Sequence, residues 1–399
     1  MKLNDIIDKI IDNRGKTPPT NKLSGVPLVE AQTYVDSYLY VNLDKCVKYV
    51  SDKVYNEWFR SGHPKKNDLL ITLVGDLGNC SLVGDDKCCI AQNIIAIRFK
   101  DNVDPMYIYY MFQTSYYKKS IKALNRSSVQ PSILVEDLLN LHIDLPCKKE
   151  QEKIVKILSK IDSIINNSYF LNKTIDKCEE ELLNNLIKNN SNYKVKIKDL
   201  VTVDRGISYK GNEIDNGNGI PMVNLNSFLP NNSYKLIGDK LYSGKYQKSK
   251  TIKPFDLLMC VTQQTAIDLV YNTDVIGKVF LMPKIYANDV VCTMDVVRLL
   301  FDNENIKYYL YMFFKQKYFH KFISSYANGT KIKHLDCDGF LKLSINIPTE
   351  DKLIKYANII KKLEEIKSNN LLETKKLLFE RENLLLVLLN GQAKIKEVA

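Results

Sequence analysis

The chain is predicted to fold as α+β, with two pseudo-symmetric α/β globules separated by two long antiparallel coiled-coil helices. Three observations predict this. One set of short motifs occurs twice in the same order along the 399 residues. Each occurrence begins with a mixed segment of short apolar runs and an aromatic-rich stretch. Each ends in a long stretch whose apolar residues recur at steps of three and four.

The duplication is read directly from the residues. Arg14-Gly15 returns as Arg205-Gly206, Gly25-Val26-Pro27-Leu28-Val29 as Gly219-Ile220-Pro221-Met222-Val223, and Asp68-Leu69-Leu70 as Asp256-Leu257-Leu258. Tyr110-Met111-Phe112 returns as Tyr311-Met312-Phe313, and the run from Leu139 to Pro146 as the run from Leu341 to Pro348. The offset drifts only from about 188 to 202 residues, as loop insertions in a duplicated unit would make it drift.

In the first globule, Leu69 to Val74 and Ile90 to Phe99 read as strands between Gly and Asp turns, and Met106 to Leu124 reads as a helix. Their counterparts are Leu257 to Thr262, Val290 to Phe301 and Ile306 to Tyr326. Tyrosines 107, 109, 110, 116 and 117 are assigned to the core. From Lys148 to about Lys188 there is neither Pro nor Gly, and Pro146 blocks an earlier helix start. Ile154, Leu158, Ile161, Ile165, Leu171, Ile175, Cys178, Leu182 and Leu186 form a seam, interrupted near Ser168. Glu350 to Leu389 repeats the pattern through Ala357, Ile360, Leu363, Ile366, Leu377, Leu384 and Leu388. Each helix would be about 60 Å long at 1.5 Å per residue, too long to bury its stripe on one small globule, so the two are expected to pack on each other as a spacer. The expected boundaries are 1–147 and 191–348 for the globules, with 148–190 and 349–399 for the helices. Geometry alone also fits a dumbbell-shaped structural or adaptor protein.

Composition narrows the function. Apolar residues make up 45% of the chain, enough for proper cores, and the net charge of +11 suits an anionic partner such as nucleic acid. No run of about 18 apolar residues predicts a membrane span, and Met1-Lys-Leu-Asn-Asp lacks a signal-peptide stretch. Nine scattered cysteines without a C-x-x-C pair read as reduced and structural, hence a cytoplasmic location, and four scattered histidines give no zinc-like spacing. No phosphate-binding P-loop, dinucleotide fingerprint, nucleophile elbow or amino-methyltransferase tetrad is present, so the chain reads as a non-enzyme with no metal or cofactor of its own.

The most specific stretch is Leu145-Pro146-Cys147-Lys148-Lys149-Glu150-Gln151-Glu152-Lys153-Ile154 and onward through Leu158 to Asp162. It resembles the opening of the central helix in the DNA-specificity subunits of type I restriction–modification enzymes. Arg14 to Pro18 resembles the start of many of that family's recognition domains, and Tyr326 to Ile332 resembles its polar turn before the final strand. The second helix departs from the pattern, since no Glu-Gln pair follows Pro348. The resemblance runs from Asp5 to about Leu389. It implies that 1–147 and 191–348 are target-recognition domains, each reading one half of a bipartite asymmetric site on double-stranded DNA. It implies that the helices set the spacing and dock two methyltransferase subunits. Restriction subunits would join that core, with S-adenosylmethionine, ATP and Mg bound by partners and no small-molecule substrate here. The same module could serve a fused or single-partner methyltransferase-nuclease.

Lys and Arg on phosphates give affinity, while Arg or Lys on guanine and Asn or Gln on adenine give sequence. Exposed loops rich in these residues are therefore the DNA-binding candidates. In the first domain they are Arg14, Lys16, Thr17, Asn125, Arg126, Ser127, Ser128 and Gln130. In the second they are Arg205, Lys210, Gln263, Gln264, Asn328, Thr330, Lys331 and Lys333. For partner docking and the helix seam they are Glu150, Gln151, Ile154, Leu158, Ile161, Ile165, Ile175, Leu182, Ile360, Leu363, Leu377 and Leu384.

Overall fold

The computed structural model describes residues 1–15, 17–21, 24–34, 39–127, 129–188, 193–215, 217–264, 275–329 and 332–389. The chain divides into two compact units. One comprises Met1–Ile165 and the stretch beginning at Leu377; the other is Asn166–Lys376. The division falls inside both long helices, Lys148–Lys188 and Glu350–Leu389, so each unit holds one globule and a part of each helix.

In the first unit a four-stranded antiparallel sheet has the order Ile7–Ile11, Ile94–Phe99, Leu69–Thr72, Cys80–Leu82. The second unit repeats it as Thr202–Arg205, Val296–Leu300, Leu257–Cys260, Val279–Leu281. The repeated Asp-Leu-Leu motif starts the central strand of both. Asp68 accepts from the Lys65 amide at 2.8 Å and pairs with Arg98 on the neighbouring strand at 2.7 Å. Asp256 does the same with the Lys253 amide at 2.8 Å and with Arg298 at 3.4 Å. Carboxylates paired with arginine in this way, Asp68 buried and Asp256 half-buried, fix a strand end without stranding a charge.

A second small sheet also recurs. Val26–Val29 lies between Tyr49–Val50 and Cys89–Ile90, antiparallel to the first and parallel to the second. Ile220–Val223 lies likewise between Lys240–Tyr242 and Val291–Cys292. The glycine opening each copy is required by close approach. A Cβ on Gly25 would sit 2.2 Å from the Val50 oxygen, and one on Gly219 2.8 Å from the Tyr242 oxygen.

Two expected segments are broken. The run from Ile90 to Phe99 divides into Cys89–Ile90 and Ile94–Phe99, and its counterpart into Val291–Cys292 and Val296–Leu300. The aromatic helix is two helices, Pro105–Gln113 and Ser115–Ala123. Thr114 between them is extended, and its hydroxyl accepts from the Tyr117 amide as a cap. Glu304–Phe314 and Lys317–Ile323 show the same break. Tyr107, Tyr109, Tyr110 and Tyr117 are buried, but Tyr116 is 62% exposed and leaves the core assignment.

Within the second unit the two long helices run antiparallel. Asn172 meets Asn370, and Asp176 meets Lys367, so numbers fall on one helix as they rise on the other. In the first unit, Ile154, Val155 and Leu158 share a core with Leu385 and Leu388.

Candidate nucleic-acid interface

The first unit ties down several of the residues expected to read DNA. The Arg14 guanidinium grips Asp12, Nη2 to Oδ2 at 2.6 Å and Nε to Oδ1 at 2.9 Å. Burial pushes the Asp12 carboxyl up, and Arg14 outweighs it, leaving the group below the usual carboxylate range. Thr17 Oγ1 accepts from Gln92 Nε2 at 2.7 Å. The Asn125 side chain organises its own loop, accepting from the amides of Ser127 and Ser132 at 3.1 and 3.0 Å. Arg126 is exposed and pairs with Asp137 at 2.6 Å, while the Ser127 hydroxyl accepts from the Gln130 amide at 3.4 Å. Gln130 is exposed. Lys16 and Ser128 lie outside the described residues.

In the second unit Arg205 ends its strand in solvent, and Gly206 follows because a Cβ there would sit 2.1 Å from the Thr293 oxygen. Lys210 is exposed, its amide donating to Glu213 at 2.6 Å. Gln263 corrects the sequence expectation. It is 4% exposed, and its Oε1 accepts from the amides of Val275 and Ile276 at 3.1 and 3.0 Å, so the side chain is spent on the fold. Asn328 is exposed and Lys333 half-buried on a small sheet of Thr262–Gln264, Ile332–Leu335 and Ala327–Asn328. The Gln264 side chain, Thr330 and Lys331 lie outside the described residues.

Sequence reasoning missed a stronger cationic feature. From Lys240 to Lys253 there are five lysines and no acid. Lys240, Lys245, Lys248 and Lys253 are exposed. Lys240 lies 5.1 Å over the Tyr209 ring and donates to its hydroxyl at 2.9 Å, while Lys250 donates to the Arg205 carbonyl at 3.0 Å. The lysine segment therefore borders the Arg205–Tyr209 turn. Lys248 is paired with Asp289 and Lys250 with Asp204, so it is the exposed Lys240, Lys245 and Lys253 that suit a phosphate backbone. Five lysines in fourteen residues without an acid were the available signal.

The helix positions separate into two kinds. Ile154, Leu158, Ile165, Ile175 and Ile360 are buried, while Ile161, Leu182, Leu363, Leu377 and Leu384 are half-buried. Leu183 and Leu385, each one residue later than an expected seam position, are buried, and Leu171, Cys178 and Ile366 face solvent. Glu150 is exposed. Gln151 is 1% exposed; its Oε1 accepts from the Asp104 amide at 2.8 Å and its Nε2 donates to the Pro146 carbonyl at 2.9 Å. It thereby joins the capped start of the Pro105–Gln113 helix to the start of the long helix. Gln151→Ala should lower stability by about 1–3 kcal/mol, because the buried Asp104 amide and Pro146 carbonyl lose their partner. Urea unfolding checks this, and an unchanged midpoint would remove the joint.

In each unit the buried helix faces also carry charged residues, which the expected apolar seam did not foresee. In the first unit Asp162 receives the Tyr110 hydroxyl at 2.8 Å and Arg381 Nε at 2.6 Å, with Arg381 5.6 Å over the Tyr110 ring. In the second unit Glu364 receives the Tyr311 hydroxyl at 2.8 Å and Lys367 at 2.6 Å. Tyr110 and Tyr311 are repeat partners, and the offset of 202 from Pro146 to Pro348 makes Asp162 and Glu364 partners too. Each domain is thus pinned through a tyrosine to a carboxylate on the helix that follows it.

The type I restriction modification DNA specificity domain model matches residues 1–176 and again 190–378, one match per repeat. The chain belongs to this family. Two curated relatives from Methanocaldococcus jannaschii are the type I restriction enzyme MjaIX and MjaVIII specificity subunits. The first is 26% identical over 149 residues, 37% of this chain and 34% of the relative. The second is 27% identical over 117 residues, 29% of this chain and 27% of the relative. The matched stretches thus span about a third or less of these relatives' length. Among solved structures, the crystal structure of a type I restriction-modification system S subunit from M. genitalium has a TM-score of 0.57 at 13% identity. It covers 99% of this chain and 96% of that one. This likeness carries the fold. Against it, the duplicated sheets and helix parts described above are those of a specificity-subunit fold. Among the described residues no helix is long and apolar enough to cross a membrane, and no group of three or more His, Cys, Asp or Glu is placed to hold a metal.

Proposed function

We propose that the protein is the DNA-specificity subunit of a type I restriction–modification complex. Each recognition domain reads one half of a bipartite, asymmetric site on double-stranded DNA, and the paired helices set the spacing and dock two methyltransferase subunits. Restriction subunits join this core. Adenine methylation with S-adenosylmethionine, and ATP- and Mg-dependent steps, belong to the partners, and this chain does no chemistry in the cytoplasm where the complex works. The observation that supports this reading most is the double match of the specificity family, one per repeat, on a chain whose second unit carries the lysine segment.

The test is an exchange. Replacing residues 1–147 by another family member's first domain, in a complex with its methyltransferase, should change one half of the methylated site and leave the other. Sequencing of the methylated sites gives the answer directly. A change in both halves would overturn the reading of one domain per half-site. The lysine segment gives a second expected result. Lys240→Ala and Lys245→Ala should each weaken DNA binding across sequences and reduce the slope of log affinity against log salt by about one. A slope equal to that of the unaltered protein would place the backbone contacts elsewhere.

A further inference from the structure

The offset that takes Asp162 to Glu364 also takes Glu179 to Arg381. The two positions have opposite charge. In the first unit the position holds the cation that neutralises Asp162. In the second unit it holds another carboxylate, buried beside Glu364. Three carboxylates meet there, Asp176 and Glu179 from one helix and Glu364 from the other. Two ammonium groups serve them. Lys367 lies 2.7 Å from Asp176 Oδ1, 3.2 Å from Glu179 Oε2 and 2.6 Å from Glu364 Oε1. Lys315, from the Glu304–Phe314 helix and the residue after it, lies 3.0 Å from Asp176 Oδ1 and 3.3 Å from Glu179 Oε2. Tyr311 from that helix donates to Glu364, and Lys315 donates to the Tyr311 hydroxyl at 3.2 Å. Tyr356, on the second long helix, is buried with its hydroxyl unpaired; burial and then the charge of Glu179 push its phenol up.

This set carries one negative charge more than positive, in a site where Glu179 is fully buried. An uncompensated buried charge is costly, and a proton is the simplest remedy. The geometry says which carboxyl takes it. Glu364 Oε1 accepts two short hydrogen bonds, and Asp176 Oδ1 accepts from both lysines. Glu179 Oε2 has only the two longest contacts, and Glu179 Oε1 is buried with no partner.

We propose that Glu179 holds a proton in the folded protein up to neutral pH, so that the pairing of the two long helices in this unit is proton-linked and loosens as that proton is lost. Burial, followed by the charge of Glu364, pushes Glu179 up from its ordinary 4.5 to about 7, against both lysines. Burial also pushes Glu364 up, but Lys367 and Lys315 outweigh it and hold that carboxyl below its ordinary range. The sign follows. Between about 4.5 and 7 the folded chain keeps a proton that the unfolded chain loses, so stability falls as pH rises through this window and levels off above it.

The experiment follows urea unfolding of the full chain from pH 5 to pH 8 beside Glu179→Gln, an isostere that is neutral throughout. The unaltered protein should lose stability relative to this variant, the ratio of their unfolding constants changing on the order of a hundredfold across the range. Equal pH profiles would overturn the proposal. So would an unfolded Glu179→Gln, because the folded site is already taken to be neutral there. Glu364→Gln keeps a neutral oxygen for Tyr311 but loses the charge that pairs with Lys367 and pushes Glu179 up, so it should destabilise the chain and move the Glu179 transition to lower pH. If its profile flattened and that of Glu179→Gln did not, the proton would sit on Glu364 and the proposal would fail. A variant-free reading is the carbon NMR of glutamate-labelled protein, where one side-chain carboxyl should titrate near neutrality. No such resonance would overturn it.

Discussion

Leu158→Asp should unfold the first unit and Leu183→Asp the second. Each leucine is wholly buried. Leu158 shares its core with Ile154, Tyr110, Leu385 and others, and Leu183 shares its core with Leu353, Tyr356 and Ile360. An aspartate at either place displaces this apolar packing with a buried charge and costs several kcal/mol. Whole domains are stable by only about 5–15 kcal/mol, so the loss is a large share of the total. Ile161→Asp and Leu182→Asp should cost less, because both side chains are half-buried and their carboxylates can turn to water. Thermal unfolding followed by circular dichroism separates the two classes. Equal, small shifts in all four variants would show that the helix faces are not packed as described.

The second large effect is expected at Arg381. Arg381→Ala leaves Asp162 buried with only the Tyr110 hydroxyl. Burial depresses the guanidinium of Arg381, Asp162 outweighs it, and the net is a charge held more firmly than usual. Removing one partner of such a pair costs about 3–5 kcal/mol, and the side chain's 17% exposure places the expectation at the lower end. Replacing both partners, Asp162→Asn with Arg381→Met, should recover much of the loss, because no charge is then stranded. Urea unfolding of the single and double variants checks this. A double variant worse than the sum of the singles would mean that the pair is not the cause.

The duplication, the sheet strands and both long helices were legible because each rests on a pattern carried by many residues. Periods of two and 3.6, and repeated motifs in constant order, survive local exceptions. What escaped rests on single residues or distant pairs. Thr114 breaks the aromatic helix with one hydroxyl, inside a run whose apolar content reads as continuous. Leu182 and Leu183 are adjacent and identical, so spacing alone does not choose the buried one, and the same holds for Leu384 and Leu385. The Arg381–Asp162 pair joins residues 219 apart in the chain, and neither is conspicuous by itself. Gln263 shows the weakness of reading DNA contacts from residue type. A glutamine suits adenine in a groove, but it suits two orphan backbone amides equally well. The lysine segment was visible in the sequence. It occurs once, outside the repeated motifs that mark the two domains.

The tyrosine pin limits which foreign domains this scaffold accepts. A graft joined at Cys147 brings its own first domain but inherits Asp162 and Arg381 from the host. The newcomer must therefore present a hydroxyl where Tyr110 stands, and tolerate a guanidinium above that ring. A graft of the second domain faces a different lock, because there the host offers Glu364 and Lys367 while the second ammonium, Lys315, arrives with the newcomer. First and second domains are thus keyed to their own positions. Natural shuffling of specificities should run freely among first domains and among second domains, and stall when one is moved into the place of the other.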